Sequence, residues 1–432
     1  MDVQACLADR RRYERQIERL HQRHLLSARL FELRQEEVSL ASIVMQRAKV
    51  AKLLAREVAG GSYELEPGEM KPIRVKGKNR EVFACRLTDL IVHGVVADIV
   101  AEAIAADLSP RVFSYRRGLS WAIPVTELAA YLRAARRDGH GGVHVLRRDV
   151  DSYFDSIPLG APSPLWPMLE RHLGAPLPEL VVESARVEVY LEGGGLAGRL
   201  CGVPTGQPIG GVIGNLYLGE LDRALESLPG GFYARYGDDY LFAHPDAEVA
   251  READALSDAI LDRLSLTVSE RKRRTFYLTP CGRPSPDWPG VRGAPAVGFL
   301  GSRITADGTI GLDSPKARLL LRELDRRVAA TARTMRGERR DDVGRAVCAV
   351  VNRSLEPGNT LTQHTAAQLL RAGVTDRRQL RELDYRIARS VIRAVTGRSS
   401  VRMFRDVPYR TLRREWGLLS LVEARNAPRR RR

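Results

Sequence analysis

The segment FYARYGDDYLF, residues 232–242, leaves few options for the fold around it. Apolar and aromatic residues flank Gly237-Asp238-Asp239, the pattern of two short strands joined at a tight turn that glycine eases. Two adjacent carboxylates then sit at the tip of a buried hairpin, where they repel and each loses hydration. Something positive must answer them. A second acidic stretch, RRDVDSYFDSIP (147–158), follows GGVHVLRRDV (141–150), whose alternation reads as a strand. If that strand neighbours the hairpin, Asp149 meets Asp238 and Asp239 at one sheet edge. Three carboxylates so gathered form a hard oxygen cage suited to Mg²⁺, with Mn²⁺ as its substitute. Two such ions can clamp the attacking and leaving oxygens of a phosphoryl transfer. Acidic turns are also a common structural device, so the reading depends on what surrounds this one.

The surroundings are mixed. Residues 2–59 read as almost wholly helical, with Leu40, Ile43, Val50 and Leu54 on one face and Gly60-Gly61 ending the run. Arg10, Arg11, Arg12, Arg15, Arg19 and Arg23 crowd the polar side, as a solvated amphipathic face or as an RNA-facing arm. KPIRVKGKNREVFACRL (71–87) suggests a basic strand pair around a Gly-containing turn, followed by a helix over 88–107. VSERKRRTFYLT (268–279) is a basic loop or strand, and the prolines of 280–295 exclude a regular ladder. FLGSRITADGTIGL (299–312) is a hairpin about Asp307-Gly308. Beyond a Ser314-Pro315 cap and first turn, helix signals run to the end. Leu380, Leu383, Ile387, Val391 and Val395 make one stripe there, and APRRRR closes the chain as a basic tail.

Lys and Arg number 69 against 53 acidic residues, a formal charge of +16, which favours polyanionic partners. The five cysteines include no C-x-x-C pair and read as ordinary thiols in a reducing compartment. His21 and His24 lack the companions a zinc site needs. No leader pattern and no long apolar run is evident, so the expectation is a cytoplasmic chain without a membrane partner. A length of 432 residues suits two or three domains.

The order of the segments carries a resemblance. DVDSYFDSI (149–157) resembles motif A of reverse transcriptases, CGVPTGQPIGGVIGNLYLGELD (201–222) motif B, and YGDD (236–239) motif C. LSLTVSERKRRT (264–275) resembles motif D, and VGFLGSRI (297–304) motif E, the primer grip of that family. KNR at 78–80 and FSYRRG at 113–118 resemble fingers segments of bacterial reverse transcriptases. The likeness covers about residues 70–312. It implies an α+β right-hand polymerase: an N-terminal helical extension (1–69), fingers and palm with an antiparallel sheet packed on helices (70–312), and an α-helical thumb (313–432).

By this resemblance Asp149, Asp238 and Asp239 hold the metals, with Asp151 a competing motif A candidate on the same strand face. Lys272 is the motif D lysine that stabilises or protonates departing pyrophosphate, its register blurred by Arg271, Arg273 and Arg274. Arg80 grips the incoming triphosphate. Phe154 lies under the sugar and selects deoxynucleotides, and Thr205, Gly206 and Gln207 contact the nucleotide. Thr205 stands where many retroviral and intron-type enzymes have Gln, and Gly210 where Ser is common. Tyr236, Phe299, Leu300 and Gly301 contact primer and template.

The implied partners are an RNA template, a DNA primer or cDNA product, and dNTPs. No endonuclease, RNase H, protease or integrase signature follows the thumb-like region. The chain is thus most similar to compact retron, group II intron-like and defence-associated enzymes that work with a dedicated non-coding RNA. AVTG (394–397) is similar to a retron tripeptide but is too short to assign the group. An RNA-dependent RNA polymerase, or an inactive polymerase fold serving as an RNA-binding scaffold, is the alternative.

Overall fold

The computed structural model describes residues 1–24, 34–35, 38–75, 78–190, 196–198, 200–355, 373–400 and 402–426. The expected turn residues 76–77 and the basic tail 427–432 lie outside the described residues. Helices and strands are mixed throughout, and the chain divides into two units. Met1–Ser120 with Leu146–Thr275 forms one, and Trp121–Val145 with Phe276–Arg432 the other.

The first segment opens with α1 (Val3–Ala8) and α2 (Arg10–His24), the strand pair β1 (Arg34–Gln35) and β2 (Val38–Ser39), then α3 (Leu40–Met45) and α4 (Arg47–Ala59). The two-residue strands interrupt the almost wholly helical run that the sequence predicts: their pairing, Arg34 with Ser39 and Gln35 with Val38, leads into the Ser39 side chain that caps α3. Next come the antiparallel pair β3 (Glu69–Val75) and β4 (Lys78–Ala84), and α5 (Leu87–Ile104), most of whose residues are buried. The buried stripe Tyr13, Gln16, Ile17 and Leu20 of α2 faces α5. Gln16 Nε2 donates to the Gly94 carbonyl at 2.6 Å, where a Cβ on residue 94 would stand 2.8 Å from the Gln16 side chain. Arg12 and Arg19 turn to Glu102 and Asp98 of α5, so two of the six arginines anchor the helix to its own fold.

The chain continues through α6 (Ala122–Arg137), β5 (Val143–Asp149), α7 (Tyr153–Ser156), α8 (Leu165–Leu173) and α9 (Glu179–Arg186). The pair β6 (Glu188–Tyr190) and β7 (Leu196–Gly198) precedes α10 (Pro208–Tyr217) and α11 (Gly219–Glu226). Then come β8 (Phe232–Tyr236), β9 (Asp239–His244), α12 (Ala247–Arg263) and β10 (Arg274–Leu278). The hydrogen-bonded order of these strands is β8-β9-β5-β10, with β8 and β9 antiparallel from Phe232↔Ala243 to Tyr236↔Asp239.

In the second unit β10 runs on to pair in parallel with β11 (Gly293–Ala294), so the proline-rich stretch does contribute a ladder. The paired residues fall between prolines, and a Cβ on Gly293 would lie 2.0 Å from the Arg283 carbonyl oxygen. Strands β12 (Ala296–Phe299), β13 (Ser302–Thr305) and β14 (Ile310–Leu312) form a three-stranded antiparallel sheet instead of one hairpin. Its extra turn, Leu300-Gly301, has φ of 48° and 76°. Helix α13 (Ser314–Thr334) is capped by Asp313, which accepts from the Lys316 amide at 2.8 Å. Ser314 is therefore inside the helix, and the cap lies one position earlier than the sequence suggested. With α14 (Arg340–Leu355) and α15 (Arg377–Thr396), it buries Leu320, Leu324, Val347, Val351, Leu380, Leu383, Ile387 and Val391 in one core. Two short helices, α16 (Met403–Asp406) and α17 (Leu421–Asn426), follow. Among the described residues no helix is long and apolar enough to cross a membrane.

Candidate active site

Asp149 is the last residue of β5, and Asp238 and Asp239 close the turn between β8 and β9, the strand beside it. Tyr236 and Asp239 pair across a two-residue loop in which Gly237 has φ of 70°. A positive φ at the first central position is what such a turn asks of glycine. The Val150 amide donates to the Asp238 carbonyl at 3.2 Å, so the end of β5 is bonded directly to the turn.

The charges are answered by side chains. Arg147 forks onto Asp239, with Nε and Nη2 at 2.9 and 2.7 Å from its two carboxylate oxygens. Lys272 is ion-paired with Asp149 and lies 2.9 Å from Asp151. Neither cation pairs with Asp238. Burial, then the charges of Asp149 and Asp239, push the Asp238 carboxyl up to about 6. Burial also raises Asp239, against the lowering pull of Arg147. For Lys272, burial works to lower the pKa, but hydrogen bonds to Asp149 and Asp151 prevail and raise it. Asp151 is held down by the Lys272 hydrogen bond. Among the described residues no three His, Cys, Asp or Glu side chains stand together as a ready metal cage. The donor set is nonetheless all carboxylate oxygen, and the repulsion that raises Asp238 is what a divalent cation relieves.

Of the basic run 271–274, Arg273 turns away to Asp254 and Asp258, while Lys272 reaches the carboxylates. The turn also has a support that sequence reasoning missed. Arg235, fully buried, places Nε and Nη2 each 2.6 Å from an oxygen of the equally buried Asp222, and Nη1 3.0 Å from the Gly237 carbonyl. The Gly237 amide donates to Ser114 Oγ at 2.8 Å, and Asn215 Nδ2 donates to the Ser114 carbonyl at 2.8 Å. Arg147 was legible in principle, since it lies two residues before Asp149 on the same strand face.

Half-buried Phe154 meets the exposed Tyr115 ring edge to face at 5.9 Å and packs on Tyr153 at 5.1 Å. Glycines of α10 lie behind this pair: a Cβ on Gly211 would reach 2.4 Å from the Tyr115 ring, and one on Gly214 2.7 Å from Phe154. The glycine-rich helix thus admits the protein's own aromatic rings. Thr205, Gly206 and Gln207 lie against β4: the Phe83 amide donates to the Thr205 carbonyl at 3.0 Å, and Gln207 Nε2 donates to the Phe83 carbonyl at 3.1 Å. A Cβ on Gly206 would lie 3.4 Å from Val82. Arg80 pairs with Ile73 in the β3–β4 ladder, and its side chain lies outside the described residues.

In the second unit, Phe299 is wholly buried, and Leu300 and Gly301 form the β12–β13 turn. Lys316 Nζ donates to the Leu300 carbonyl at 2.9 Å, in space that a side chain at Gly301 would occupy.

No family model and no curated protein matches the chain. Solved structures similar to it include apo telomerase from Candida tropicalis, with TM-score 0.47 and 11% identity over 82% of this chain and 60% of that one. Telomerase from Candida albicans in complex with a TWJ fragment of telomeric RNA has TM-score 0.45 and 13% identity, over 81% and 64%. A C. tropicalis telomerase truncated from its C-terminal domain gives 0.43 and 11%, over 57% and 55%. The chain thus spans between 55% and 64% of the length of these telomerases.

Proposed function

We propose that the chain is an RNA-directed DNA polymerase that joins deoxynucleotides on an RNA template, with fingers, palm and helical thumb in the order of a right-hand polymerase. The observation that carries this reading is the meeting of Asp149 with the Asp238-Asp239 turn on neighbouring strands, in a chain whose segments follow the reverse-transcriptase order. Asp149, Asp238 and Asp239 would hold Mg²⁺, which supplies charge neutralisation and Lewis acidity for in-line displacement. Lys272 keeps its proton at the acidic cluster, where an ammonium can donate to departing pyrophosphate. Phe154, braced by Tyr115 and Tyr153, would exclude a ribose 2′-hydroxyl, while Arg80 and residues Thr205–Gln207 would receive the nucleotide. Resemblance to compact bacterial enzymes extends the proposal to a dedicated non-coding RNA and a role in antiphage defence.

A second reading is favoured by the ion pairs of Lys272 with Asp149 and of Arg147 with Asp239: an RNA-binding scaffold whose carboxylates are neutralised internally. Primer extension on an RNA template separates the readings. Mg²⁺-dependent incorporation of dNTPs, abolished in Asp238→Ala while RNA binding persists, is the expected result. RNA binding without synthesis under any metal supports the scaffold, and preference for NTPs indicates an RNA polymerase.

A further inference from the structure

Helices α13 and α15 of the second unit face one another across a cavity of about 360 Å³. Its lining repeats at helical spacing. Arg318, Leu321, Arg322 and Asp325 come from one face of α13, and Arg386, Arg389, Ser390 and Arg393 from one face of α15. Five guanidiniums therefore converge on one concavity, against a single lining carboxylate. Like charges four residues apart on a helix destabilise it, and here such pairs on both helices confront each other.

The internal partners leave much of this charge unanswered. Asp325 accepts from Ser390 and lies 3.3 Å from Arg393, which spends it. Arg386 pairs with Glu382, and Arg389 donates to the Ser399 carbonyl at 3.4 Å while lying over the Tyr385 ring. Arg318 and Arg322 make no hydrogen bond or ion pair among the described residues, and both are exposed at the rim. Buried Met403 and Ser390 help close the cavity floor.

The geometry points to a binding site for a terminal triphosphate, carried on the 5′ end of an RNA or on a free nucleotide. Arginine forks match phosphate oxygens in pairs, and a triphosphate concentrates several negative charges within a few ångströms. A duplex backbone is convex and spreads its phosphates along a ridge, so it presents no such knot of charge to a concavity. The cavity also falls within the size range of small-ligand sites. This inference stands on the second unit alone and does not depend on the polymerase reading.

The test uses the full chain and inorganic tripolyphosphate as probe, followed by calorimetry, for wild type and for Arg318→Ala/Arg322→Ala. Both positions are exposed, so the double variant should retain the wild-type melting temperature. Its tripolyphosphate affinity should fall about tenfold or more, a loss in keeping with removing charge-assisted contacts. Two further arms identify the source. A 5′-triphosphate RNA that binds more tightly than the same RNA with a 5′-hydroxyl, in an Arg318- and Arg322-dependent way, assigns the site to RNA ends. Equal binding of those RNAs, with Arg318- and Arg322-dependent binding of free nucleoside triphosphate, assigns it to nucleotides. Unchanged tripolyphosphate affinity in a folded double variant overturns the proposal.

Discussion

Burial at the β8–β9 turn, together with the charges on Asp149 and Asp239, pushes the Asp238 carboxyl up to about 6. An unfolded aspartate titrates near 3.8, so the folded chain holds this proton more tightly. The stabilisation that results is fully present below the unfolded value and is lost as pH rises from about 4 through 6. Without divalent ions, Asp238→Asn should therefore melt a few degrees above wild type at pH 7.5, with the gap closing by pH 4. Added Mg²⁺ should raise the wild-type melting temperature and leave the variant behind, because ligand bound to the folded state stabilises it by mass action. Parallel melting curves across this pH range would remove Asp238 from its strained position. Phe154 invites a second residue-scale test. Its ring is held from two sides by Tyr115 and Tyr153, so Phe154→Val should open space at the sugar without collapsing the wall. Ribonucleotide incorporation relative to deoxyribonucleotide should rise about 10-fold or more, the scale on which small steric changes in a pocket discriminate. An unchanged ratio takes the sugar-gate role from Phe154.

At the scale of elements, α10 and the β8–β9 hairpin decide whether the aspartates and the aromatic wall hold their places. Gly211→Ala drives a methyl group to within 2.4 Å of the Tyr115 ring, and Gly214→Ala to within 2.7 Å of Phe154. Either change must displace a ring, and kcat/KM for dNTP should fall on the order of 10²-fold with the protein still folded. An active Gly211→Ala enzyme would show that Tyr115 can move freely. Asp222 poses the opposite problem. Its removal strands the fully buried Arg235 and also takes the acceptor of the Tyr233 hydroxyl, so Asp222→Ala should cost about 3–5 kcal/mol, read by denaturant unfolding. The hairpin itself was legible in 232–242 because apolar runs around a glycine turn have few other uses. The α15 stripe was equally plain, since its apolar residues follow the 3.6-residue period. The start of α13 was misread by one residue because Asp313 and Ser314 are both competent caps and proline tolerates N2 as well as N1. The Leu300-Gly301 turn was hidden by a leucine at positive φ, and β11 by its dependence on a partner strand. In the site, the carboxylates stood out in sequence. The buried Arg235–Asp222 strut did not, because only the docking of the hairpin on α11 brings the two together.

Across the whole molecule, a formal charge of +16 is the property that local reading cannot distribute among sites. Some of the positive charge is committed internally: Arg12 and Arg19 to α5, Arg147 to Asp239, Arg235 to Asp222, and Arg273 to α12. Positive charge not engaged in such pairs can displace counterions from a polyanion, and such binding weakens linearly in log K against log salt. If six to ten phosphates are contacted, affinity for a primed RNA should drop by about 10³-fold or more between 50 and 200 mM salt. Asp238→Asn should share that slope while losing synthesis, because its carboxylate would meet metal ions and not phosphates. Arg318→Ala/Arg322→Ala should keep most of the slope on 5′-hydroxyl RNA, since one end-binding cavity contributes little to contacts along a strand. A salt slope near zero for wild type would mean that the excess charge is a solvated surface, and the RNA partner would then have to be abandoned along with the template-directed chemistry.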